Sequence, residues 1–134
     1  MNLHEYQAKE LLKKYNVPVQ NGIVCHTVEE VTQAYKEISA RTNSKFVVAK
    51  AQIHAGGRGK GTFKEVPTQH GVQVVKSEDS AKEVATNMFG NTLVTLQTGE
   101  VGKVVSKMFM AEDAYYEGPN PIKEFYLSIL LDRQ

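Results

Sequence analysis

Apolar positions recur along the chain with two periods, and the switches between them outline its elements. Ala8, Leu11, Leu12 and Tyr15 fall at i, i+3, i+4 and i+7, which predicts a first helix closed by Pro18. "GIVC" (22–25) predicts a short strand. Thr27 then caps a second helix, with Glu30 at the capping-box position and Val28, Val31, Tyr35 and Ile38 as its inward face. "FVVAKA" (46–51) is a continuous β-rich run suited to a buried strand, with Lys50 at its end. "GVQVV" (71–75) predicts another strand. Ser77 or Asp79 can cap a third helix whose stripe is Ala81, Val84, Ala85 and Met88, stopped by Gly90. "LVTLQ" and "KVVSKMFMA" flank Gly99 and Gly102, which predicts a hairpin. A turn-rich stretch, "EDAYYEGPNPIKE", leads to a last apolar strand, "EFYLSILLDR". Helices and strands alternate early and strands cluster late, so the expected class is α/β (α+β) with a mixed sheet.

Composition narrows the function. The 134 residues suit one domain with its own core, and 41% hydrophobic content argues against disorder. Sixteen basic and fifteen acidic side chains leave a formal charge of +1, which disfavours general nucleic-acid binding. No run approaches the ~20 apolar residues of a membrane span. A single Cys25 cannot form an internal disulfide; it is expected to be structural, in a reducing compartment.

The chemistry concentrates in "KAQIHAGGRGKGT" (50–62), where four of the chain's ten Gly alternate with Arg58 and Lys60. Backbone N–H groups bind phosphate best where no Cβ holds the ligand away. The loop is not a P-loop: His54 stands where Gly is required, and Gly61 follows the Lys instead of Ser or Thr. It is not a dinucleotide fingerprint either, because Thr62 occupies the sixth position. An anion site and a plain solvated hairpin both remain open on these residues. Lys50 favours the first, since a Lys at the end of an apolar strand needs a partner and a phosphate would supply one.

Four stretches in order, "MNLHEYQAKELL", "VVAKAQIHAGGRGKG", "LVTLQTGEVGKVV" and "KEFYLSILLDR", resemble the amino-terminal part of the succinyl-CoA synthetase (succinate–CoA ligase) beta-subunit family. The resemblance covers essentially the whole chain. It implies that residues 1–134 are the first portion of an ATP-grasp nucleotide-binding domain, a fragment of a longer subunit, inactive alone. The implied reaction converts succinyl-CoA, phosphate and ADP (or GDP) into succinate, CoA and ATP (or GTP), with ADP the expected form. It runs through succinyl phosphate and a phosphohistidine on the partner alpha subunit, so His4, His26, His54 and His70 are not candidates. His54 is expected to be structural. Magnesium is implied, with ligands beyond this chain. The compartment is cytoplasm or a mitochondrial matrix.

By the same resemblance, Lys50 contacts phosphate, Gly57, Arg58 and Gly59 form the phosphate loop, and Glu124 in "KEFYL" lies near the ribose. Gln20 marks the base pocket without deciding the base, because its amide carries both a donor and an acceptor. The chain departs from the family at the hinge, where "AEDAYYEGPNPIKE" is longer. Aligned without a gap, Ala111 takes the family's Glu position and Glu112 falls one later, so Ala111 and Glu112 are assigned to the base region through their backbone. Tyr115 and Tyr116 border the base or cover the sheet edge. Another acyl-CoA ligase, such as a malate–CoA ligase, would share these motifs. A nucleotide-binding or subunit-interaction module without chemistry is the alternative of a different class.

Overall fold

The computed structural model describes residues 2–114, 119 and 123–128. Helix α1 spans Glu5–Lys14, β1 Gly22–Cys25, α2 Val28–Thr42, β2 Val47–Ala51 and β3 Thr62–Phe63. Then come β4 Val72–Val75, α3 Glu78–Met88, β5 Thr92–Val94, a 3-10 turn at Gly99–Val101, β6 Lys103–Val104 and β7 Met108–Glu112.

The main sheet has the order β1-β7-β2-β4, and a smaller one the order β3-β5-β6. Every described pairing between these strands is antiparallel, where the alternation of helices and strands leads one to expect a mixed sheet. The reason is topological. β1-α2-β2 is a crossover between strands of like direction, but β7 lies between them. β4-α3-β7 is a second such crossover, split by β2. Two interleaved split βαβ units thus keep the parallel strands apart.

Local chemistry explains the helices. The Thr27 hydroxyl accepts from the Glu30 amide at 3.1 Å, while the Glu30 carboxylate accepts from the His26 amide, one residue before the cap. The Ser77 hydroxyl caps α3 by accepting from the Ser80 amide. Asn16, at φ 57°, takes the left-handed turn that ends α1, two residues before Pro18. The predicted inward stripe of α3 is buried, as are Val31, Tyr35 and Ile38 of α2, while Val28 at its start is partly buried. They pack on alternate residues of β2 (Val47, Ala49, Ala51) and on Met108 and Met110 of β7, with Cys25 sealed among them.

Helix α1 differs. It forms where its apolar spacing predicts, but Leu11, Leu12 and Tyr15 are exposed. It meets the sheet through Glu5, Lys9 and Lys13, whose partners are Lys50, Gln20 and Asn21. Lys9 also lies over the Phe109 ring. The open sheet face offers charged and amide groups at this end, and polar side chains answer them.

The hairpin at Gly99 and Gly102 is present, with Thr92 opposite Val104 and Leu93 opposite Lys103. The segment 103–111, predicted as one strand, divides into β6 and β7 in different sheets. The expected last strand is not found in its described part. Residues 123–128 have no regular structure, and Phe125, Tyr126 and Leu127 are exposed. Residues 123–128 take no part in any described strand pairing, and without a ladder partner an apolar run does not become a strand. Residues 129–134 of that expected strand, and Tyr115 and Tyr116, lie outside the described residues.

Candidate functional site

One face of the main sheet carries α2 and α3; the other is open. Strand alternation places Val48 and Lys50 of β2 on the open face, level with Val74 and Val72 of β4 and with Ala111 and Phe109 of β7. Lys50 is therefore carried on an interior strand, half-buried, and its ammonium needs partners. It donates to Glu5 Oε1 at 3.1 Å and to Gln20 Oε1 at 2.9 Å.

Glu5 gathers a cluster. Its Oε1 also accepts from Lys9 Nζ at 3.1 Å, and its Oε2 pairs with Arg58 at 2.7 Å. A second Arg58 nitrogen donates to the Ala51 carbonyl at 2.7 Å, which fastens the guanidinium to the end of β2. Burial, the largest single influence on Glu5, raises its pKa. The hydrogen bonds and charges of Arg58 and Lys50 together outweigh it and hold the carboxyl at about 2. Burial likewise holds Lys9 below its usual value, opposed by its bond to Glu5. Within this cluster one carboxylate faces three cations.

The Gly-rich loop continues from β2. Gly57 has φ 77°, a left-handed conformation that a side chain would strain. Its carbonyl accepts from the amides of Lys60 and Gly61, and the Arg58 carbonyl accepts from those of Gly61 and Gly71. These bonds fold 57–61 into a tight turn. At Gly61 an added Cβ would stand 2.6 Å from the Val94 carbonyl oxygen, so the turn packs directly on β5. The Gly56 amide donates to Gln97 Oε1 at 2.6 Å. Among the described residues nothing accepts from the amides of Gly57, Arg58 and Gly59. Three successive unengaged N–H groups on an open turn, beside a guanidinium, are the kind of donors that anions take.

Two clefts meet here. One, of about 640 Å³, is lined by the loop from His54 to Gly59 together with Glu5 and Gln97. The other, of about 710 Å³, is lined by Gln20, Val48, Lys50, Asp113 and Glu124. Val72 lines both, so they adjoin. The Gln20 amide is engaged at both ends. Its oxygen accepts from Lys9 and Lys50, and its nitrogen donates to the Glu112 carbonyl. Two lysines can only donate, so they set which way the amide points.

The structure thus brings Lys50, Gly57, Arg58, Gly59, Gln20 and Glu124 around adjoining clefts. Ala111 is buried on the open face, between Gly22 and Val48. The Glu112 side chain points elsewhere, to Arg41 at 3.0 Å, and only its carbonyl faces Gln20. His54 stacks on His4 at 3.9 Å between ring centroids. Burial, with the charges of His54, Lys107 and Arg58, lowers the His4 pKa. His70 Nδ1 lies 3.1 Å from the Gly61 carbonyl and braces the far end of the turn.

Sequence reasoning missed Glu5, Lys9 and Gln97. The only available signal was their presence in the family-like stretches "HEYQAKELL" and "LVTLQTGE". Among the described residues no three His, Cys, Asp or Glu side chains form a group that could hold a metal ion. Glu5 already accepts from Lys9, Lys50 and Arg58.

Comparison with known proteins bears on this geometry. A family model described as ATP-grasp domain matches residues 2–134. The chain is 49% identical, over 99% of its length, to the succinate–CoA ligase [ADP-forming] subunit beta of Novosphingobium aromaticivorans. It is 48% identical over 99% to the protein of the same name from Exiguobacterium sibiricum, and 46% over 99% to that from Flavobacterium johnsoniae. It covers 32%, 30% and 32% of those three proteins respectively, so the chain spans about a third of the length of the curated relatives it matches.

Proposed function

Because the chain belongs to the ATP-grasp domain family, we propose that it is the nucleotide-binding portion of a succinate–CoA ligase beta subunit. In the whole protein, succinyl-CoA, phosphate and ADP give succinate, CoA and ATP. The phosphoryl group travels through succinyl phosphate and a phosphohistidine carried by an alpha subunit. The relatives' names, beta subunits of an ADP-forming ligase, support the partner and the choice of ADP. The sealed, unpaired Cys25 fits a reducing interior such as cytoplasm.

The observation that carries the reading is the row of three unengaged amides, Gly57 to Gly59, beside Arg58 and one cleft away from Lys50. In this reading the phosphates lie on those amides and on Arg58. Lys50 has three N–H donors, two of them committed to Glu5 and Gln20, and its third reaches the phosphate chain. Glu124 accepts from the ribose hydroxyls. The base lies against Val48 and the backbone at Glu112. The chain's share of the chemistry is to bind and orient the nucleotide so that its terminal phosphate meets the phosphohistidine.

The test is ATP formation by the full-length subunit assembled with its alpha partner, supplied with succinyl-CoA, phosphate and ADP. ATP should accumulate from ADP, and GTP more slowly when GDP replaces ADP. No nucleoside triphosphate from either would overturn the assignment.

A further inference from the structure

We propose that Glu5 is a positioning residue of the nucleotide site: its two carboxylate oxygens hold Lys50 and Arg58 as one preset pair, one cation for each of the two adjoining clefts. This rests on the nucleotide reading above and assigns it a residue outside the Gly-rich loop.

The geometry is specific. Oε1 takes Lys50 at 3.1 Å and Oε2 takes Arg58 at 2.7 Å, so each oxygen holds one of the pair. Lys50 lines the cleft with Gln20 and Glu124, and Arg58 the cleft with Gly57 and Gly59. A ligand engaging both cations must therefore pass from one cleft to the other, past Val72, as an extended molecule with an anionic tail would. Glu5 sits in the first turn of α1, and Lys9, one turn on, shares Oε1 and also holds Gln20. The carboxylate is thus braced by a rigid helix and leaves donors on both cations free: one on Lys50 and three on Arg58. It presets the cations without exhausting them.

Removing the carboxylate has two opposed effects. It adds one unit of positive charge to the site, which alone would favour an anion. In clefts open to solvent that gain is screened. It also releases two long, rotamer-rich side chains that the ligand must then immobilise itself. The second effect dominates, so the nucleotide binds more weakly without Glu5.

The experiment measures KM for ADP and kcat in the full-length subunit with its alpha partner, for wild type, Glu5→Gln, Glu5→Asp and Lys50→Ala. Glu5→Gln should raise KM about tenfold, the ordering of roughly two side chains, with kcat falling by less. Glu5→Asp keeps a carboxylate that reaches only one of the two cations, so it should recover part of that loss. A Lys50→Ala defect beside an unchanged or lowered KM in Glu5→Gln overturns this inference alone. An unchanged KM in both overturns the nucleotide reading with it. If Glu5→Gln does not assemble, Glu5→Asp carries the test, and a wild-type KM there refutes it.

Discussion

Acid should loosen the end of β2 through Glu5 before it unfolds the rest. The unfolded carboxyl titrates near 4.5 and the folded one at about 2. A depressed carboxyl contributes stability that is full above the unfolded value and is lost as pH falls through the folded one. The window here runs from about pH 5 down to about pH 2. At about 1.4 kcal/mol per unit the full shift would be worth roughly 3 kcal/mol. The carboxylate keeps some contact with solvent, and screening reduces that to about 1–2 kcal/mol. Such a difference is a factor of about 5–30 in an opening equilibrium. The assay is hydrogen exchange of the β2 amides in the full-length subunit, corrected for intrinsic rates, at pH 7, 5 and 3.5. Wild type should be better protected than Glu5→Gln by that factor at pH 7, and the gap should narrow as pH falls. A gap independent of pH would mean that Glu5 acts by packing alone and would refute the ion-pair reasoning.

Other outcomes follow from the same contacts. Gly61→Ala places a Cβ 2.6 Å from the Val94 carbonyl oxygen and should destabilise by about 1–3 kcal/mol, read as a lower thermal midpoint of the subunit; an unchanged midpoint would deny the close approach. Gln20→Ala frees Lys9 and Lys50 together, so kcat/KM should fall for ATP and GTP alike, whereas a shift in their ratio beyond about threefold would make the amide a reader of the base. Burial, with a smaller push from Glu30, raises the Cys25 thiol to about 12, so iodoacetamide at pH 8 should label it only after unfolding; labelling of the native protein would contradict that burial.

What the chain's pattern discloses depends on distance along it. The stripes of α2 and α3 and the strand at 22–25 are local periodicities and are found where expected; the strand expected over 46–51 forms from Val47 to Ala51, without Phe46. Lys50 and the glycines pointed to a candidate anion site because each was anomalous where it stood. Glu5 did not. An acidic residue in a first helical turn is already explained by the helix dipole, and its partners lie 45 and 53 residues away. Helix α1 misleads for a related reason: spacing identifies a helix but not which side docks. The division of 103–111 between two sheets was hidden as well, because a continuous apolar run has no mark where it changes partners. The antiparallel order is a property of how two crossovers interleave, which no single segment encodes.

If the turn from Gly57 to Gly59 holds nucleotide phosphate on its backbone, nucleotide should slow the exchange of its amide hydrogens. Hydrogen exchange at residue resolution on the full-length subunit, with and without saturating ADP, tests it most directly. Without nucleotide the amides of Gly57, Arg58 and Gly59 should exchange freely, while those of Lys60 and Gly61, already bonded to the Gly57 carbonyl, are slower. With ADP the first three should become protected. Equal exchange of those three amides in both states would contradict the account.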